Sequence, residues 1–285
     1  DNNGFGGGLY LSLSPNATLV SNHVYNNTAG NDGGGLYVLT STVTLSDCAI
    51  YSNSAAYNGG GVCLTDSGNV ILMGNEIHNN TANDSGGGIS VCDSPTATLT
   101  GNAVYSNSAR WWGGGVDLID SPTATLTGNT VYSNSAQWGG GVCLTSNPTA
   151  TLTGNTIYSN TAQVGGGGVY LFNSDNVTLT GNEVCSNTSN GSGGGLQLNN
   201  AGGPFSTTLS QNTISNNTAG SDGGGLYLYG ATSPMTMINN IIADNQANSR
   251  GPGVYVIGIS PRLLQTTIAH NTGGDGSGVY ITELL

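Results

Sequence analysis

The chain has 285 residues, 36% of them hydrophobic, which is enough apolar surface for a packed domain and excludes a disordered chain. Charged residues make up only 6%, against about a quarter in average domains, while the 48 glycines far exceed the usual share, a bias that marks repetitive architectures. Three arginines and no lysine stand against 15 acids, and a net charge of −12 repels phosphate backbones and anionic membranes, so nucleic-acid binding is not expected; nor is membrane insertion, since no run approaches the roughly 20 apolar residues of a span.

The first recurring element is a glycine triplet, whose last glycine falls at 8, 35, 61, 88, 115, 141, 168, 195, 225, 253 and 278, an average spacing of 27. A constant period of this size means a solenoid, a propeller or an array, and a four-stranded propeller blade would need roughly 40 to 45 residues. After each triplet comes an apolar-x-apolar strand, as in Val62 and Leu64 or Val116 and Leu118. A second strand reads TATLT, with Leu99, Leu126, Leu152 and Leu179 inward and threonines outward. A third reads N-x-V/I-Y-S-N, and its inward column from Val24 to Ile268 is aliphatic in every unit. Helix is excluded, because all three segments alternate with period two and are separated by Gly, Asn, Ser and Pro.

These observations predict an all-β parallel β-helix solenoid of about ten triangular coils, with three strands per coil, each pairing with its copy one turn later. Residues 1–285 form one domain on this reading, a rod roughly 48 Å long at the usual strand spacing. Both ends are expected to be uncapped, and the start without methionine reads as a mature or excised segment. An asparagine column at Asn27, Asn53, Asn80, Asn107, Asn134, Asn160, Asn187, Asn217, Asn245 and Asn271 is expected to form an internal ladder along the axis. A second such column, from Asn22 to Asn240, is broken by Cys48 and by Thr266 beyond its end. The five cysteines show no metal-binding spacing and sit too far apart to bridge, so free thiols are expected.

GGG[LVI], as in Gly34, Gly35 and Leu36, together with aliphatic-x-x-Asn, as in Val104 to Asn107, resembles the tetrapeptides of polymorphic outer membrane protein repeats. That group lies within the right-handed parallel β-helix proteins of the pectate-lyase-like superfamily. The resemblance implies a right-handed coil and a secreted or surface-displayed, often adhesive, rod. Enzymes of the same superfamily carry catalytic motifs that cannot be read here.

Five surface features could carry chemistry. Asp66, Asp93 and Asp120 share a column at the end of the first strand, with Asp117 nearby, and are either turn residues, a calcium site or a glycosidase pair. Trp111, Trp112 and Trp138, with Arg110 and Tyr57, precede successive triplets and either contact a glycan or partner or pack over a coil edge. Outward tyrosines on the first and third strands form two stripes, and outward threonines on the second form an array like that of ice-binding solenoids. Asn16 and Asn176 head sequons at turns and are the candidate glycosylation sites.

The leading expectation is a non-enzymatic extracellular or cell-surface rod, needing no cofactor unless calcium, that self-assembles end to end into fibres or a coat. The alternatives are an adhesin passenger segment binding host or matrix glycans, and a polysaccharide lyase or glycoside hydrolase using Asp93, Asp117 and Asp120.

Overall fold

The structure, a computed structural model, describes residues 4–147, 149–174, 176–200, 206–230, 235–276 and 278–283. The expectation of open ends at Asp1 and Leu285 lies outside the described residues. The described chain winds as a right-handed parallel β-solenoid of about ten coils, with no helix. The first strand of each coil builds an 11-stranded sheet, and the second and third strands build sheets of ten strands each. Every pairing is parallel and joins a strand to its copy one coil away, as in Leu72 opposite Leu99 and Val104 opposite Val131.

The structure adds a fourth side that the three-strand reading lacked. Mostly two-residue strands such as Thr81–Ala82 and Ser108–Ala109 pair into a nine-stranded sheet between the third strand and the triplet. Its inward residues are small, among them Ala82, Ala109, Ala136 and Ala162, because the glycine triplet closes against it. A Cβ on Gly34 would stand 2.4 Å from the Gly60 carbonyl oxygen and 2.5 Å from Ser54 backbone, so only glycine allows that approach.

The interior is one apolar column, with Leu64, Leu72 and Ile77 of a single coil all fully buried and stacked on their counterparts above and below. Most corners use one device. A residue with positive φ turns the chain, and the next side chain points inward and bonds along the axis, as in Asp93–Ser94, Gly101–Asn102 and Ser106–Asn107.

At the third corner the asparagines from Asn27 to Asn271 form a continuous ladder. Asn107 is typical: its Nδ2 donates to Asn134 Oδ1 at 3.0 Å and to the Ile77 carbonyl at 2.9 Å, while its Oδ1 accepts from Asn80 N and Nδ2. The second corner repeats this from Asn75 to Asn240, and Cys48 fits where the column lacks asparagine, its Sγ accepting from Asn22 N at 3.4 Å. The first corner holds a third ladder that went unread. Ser41, Ser67, Ser94, Ser121, Asn147, Ser174 and Asn200 are buried, and each backbone N–H donates to the next side-chain oxygen.

Candidate functional site

Asp66, Asp93 and Asp120 have φ values of 48°, 50° and 46°, so each is the turning residue ahead of the serine ladder. Asp93 Oδ2 accepts from the Cys92 thiol at 3.2 Å. Asp117 lies in the middle of its strand, Val116–Ile119, and is fully buried, apart from the corner column. Among the described residues no three His, Cys, Asp or Glu side chains converge as metal ligands. The geometry places Asp66, Asp93 and Asp120 at successive turns one coil apart and Asp117 away from that column.

The burial of Asp117 exposes a layer that alternation alone could not reveal. Middle residues of the first strands point away from the core, and on that basis Tyr37, Tyr170 and Tyr255 belong to an exposed stripe. Instead they are 5%, 2% and 1% accessible, because the segment entering each triplet folds over the outer face of this sheet. A Cβ on Gly33, Gly113 or Gly166 would touch the Cβ of Tyr37, Asp117 or Tyr170, which shows how closely the segment lies. In this layer Arg250 forks onto both carboxylate oxygens of Asp222 at 3.0 Å and sits over Tyr255. The Asp117 carboxyl lacks a hydrogen-bond partner on either oxygen. Burial pushes it up to about 7; the Cys143 thiol, in register one coil on, opposes this, and the Asp84 charge reinforces it. Burial likewise pushes the Cys63 and Cys143 thiols well up, and all five cysteines are unbridged.

The tryptophans divide between this layer and the surface. Trp112 and Trp138 stack with ring centres 5.8 Å apart and both lean on Tyr170. Trp111 stays exposed with the Arg110 guanidinium 5.1 Å from its ring centre, and Tyr57 lies two coils earlier in the same column, with Asp84 between. Beside Arg110 an open groove of about 280 Å³ runs over the fourth sheet, lined by Ser108, Ser135, Gln137 and Gln163. These polar groups escaped the sequence reading because Ser and Gln are ordinary surface residues. Their fixed place beside the alanine of each short strand, serine before it and glutamine after it, was the available signal.

On the third sheet the tyrosines form a stacked column, Tyr25, Tyr51, His78, Tyr105, Tyr132 and Tyr158, with centres 4.7 to 5.0 Å apart. On the second sheet Thr98, Thr125, Thr151 and Thr178 stand in register, and the parallel rank from Thr100 to Thr180 does the same. Asn16 is exposed with φ 62°, and Asn176 is exposed with its Oδ1 accepting from Ser206 Oγ. Asn187 also heads a sequon but is buried in the ladder.

Comparison with known proteins agrees with this architecture. Residues 110–254 match the family described as periplasmic copper-binding protein (NosD). Among solved structures, the periplasmic alginate epimerase AlgG is similar at 14% identity with a TM-score of 0.48. The match covers 83% of this chain and 60% of AlgG, so the chain spans about three fifths of that protein's length. No curated protein matches. The family described as right handed beta helix region matches residues 1–157, more than half of the chain, and the chain belongs to that family.

Proposed function

We propose that the chain is a structural rod on the extracytoplasmic side of the cell envelope, a scaffold and not an enzyme, that self-associates end to end. The observation that carries this is the run of three side-chain ladders and four sheets from coil to coil. A solenoid held by identical coil-to-coil contacts adds a subunit by the same contacts that add a coil. The periplasmic setting named for the NosD family supports the location. A second reading, contact with saccharides, is favoured by Trp111, Arg110 and the polar groove beside them.

Electron microscopy of the natively purified chain separates the two. Filaments with an axial repeat near 48 Å are expected for end-to-end stacking at ten coils per subunit. Short separate rods at high concentration overturn self-association and leave the saccharide reading, in which Trp111→Ala abolishes binding to a glycan array.

A further inference from the structure

The tyrosine column of the third sheet has a geometry that neither reading uses. Its six rings sit in register on successive coils, and adjacent planes lie within 2° to 10° of parallel. Inner rings have both faces covered by neighbours, so the column offers solvent ring edges: phenolic oxygens and the ortho carbons beside them. A flat sugar ring has no place on such a column except at its ends. The Tyr105 hydroxyl donates to the Glu76 carboxylate one coil back.

Both features favour one-electron oxidation. A phenol that loses an electron becomes a strong acid and must release its proton, and Glu76 is in place to take the proton of Tyr105. Until the proton leaves, stacked electron-rich rings share the positive charge. We propose that this column is an oxidative cross-linking site whose partner is the same column on a second copy of the chain. The second half of this inference extends the self-associating rod to side-by-side contact, beyond the end-to-end stacking proposed above.

The partner follows from the spacing. Two copies carry rings at the same pitch, so two columns laid edge to edge meet ring for ring. Flanking outward residues on the same strands are small at Ala49, Ala103, Thr130 and Thr156, which lets the edges approach there, while His23 and Glu76 are the larger flanks. In the reaction each phenol gives up one electron and one proton to a peroxidase-class oxidant. The two phenoxyl radicals join through ortho carbons, and the displaced ring hydrogens return to oxygen as the phenols re-form. Per cross-link, one hydrogen peroxide takes two electrons and two protons and leaves as two waters.

The test uses the full chain with a haem peroxidase, hydrogen peroxide and excess tyramine as radical trap, with labelled residues mapped by mass spectrometry. Tyr25 and Tyr57 make the decisive pair, being 49% and 53% exposed, the first stacked on Tyr51 and the second without a ring partner among the described residues. The expected result is labelling of Tyr25 in clear excess over Tyr57, because stacking on Tyr51 spreads the charge of the oxidised ring. Glu76→Gln is expected to lower labelling at Tyr105 and leave Tyr57 unchanged. Labelling that simply follows exposure, with Tyr57 at or above Tyr25, overturns the inference. Without tyramine, dityrosine between chains is expected to map to the column. Tyramine on the column with no inter-chain product upholds the oxidation site and overturns the second copy as its partner.

Discussion

Asp117 is the residue whose surroundings fit it worst. A carboxylate is disfavoured in a sealed apolar layer, so this group takes up a proton on folding. Its folded pKa of about 7 lies above the ordinary aspartate value, so the sign of the linkage is fixed. Stability is unaffected below about pH 4, falls as pH rises through about 7, and is flat beyond. The full loss is on the order of 4 kcal/mol. Asp117→Ser, which copies Ser90 one coil earlier, is expected to remove this dependence. The check is the difference in melting temperature between variant and parent from pH 4 to pH 8: it grows with pH if Asp117 ionises in place, and a constant difference refutes it. Asp117 was legible as an acid near the Asp93 and Asp120 column, but its burial was not. Alternation tells which side of a sheet a residue faces and is silent about what chain segment covers that side.

The corner is the unit that repeats, and its two residues divide the work. One accepts a left-handed backbone, which suits Gly, Asn, Asp and, less comfortably, Ser. The next supplies an oxygen and usually a donor to the ladder. Asn107 satisfies four partners, so Asn107→Leu leaves the Asn80 N–H groups, the Ile77 carbonyl and one face of Asn134 without bonds in a dry interior. The expected cost is about 3 kcal/mol or more, since each stranded buried group is penalised separately. The measurement is the denaturant midpoint, and a shift no larger than that of a surface control such as Thr153→Ala would contradict the ladder's structural role. The two asparagine ladders could be read from sequence because one residue type fills the column and a substitution such as Cys48 stands out. The serine ladder could not, because Ser also fills exposed turns and because Asn147 and Asn200 interrupt its identity without interrupting its bonding. The fourth sheet was missed for a similar reason: two residues with one inward alanine are too short to show a period.

Among the described residues every strand pairing joins adjacent coils, and the packing of Trp112 against Tyr170 two coils on is a side-chain contact added to that pattern. Period, handedness of the resemblance and the aliphatic columns all pointed to this architecture, because a mean repeat of 27 with three inward positions admits few other packings. Sites were harder to read, since repetition places many similar side chains in rows. Only packing distinguishes Trp111, left at the surface, from Trp112 beside it, which leans on Tyr170.

The backbone bonds between coils all run along the rod axis, and this gives the molecule a mechanical character. A pull on its two ends passes the same load through every coil interface in series, so the weakest one opens first and the rest stay wound. Each coil that peels away releases about 27 residues, roughly 90 Å of extended chain, in place of about 4.8 Å of rod. The rod therefore yields in equal steps and absorbs work at each, behaving as a tether that lengthens under strain. A single-molecule extension trace with one abrupt rupture to full length, and no such steps, would show that the coils are coupled more tightly than nearest-neighbour ladders allow.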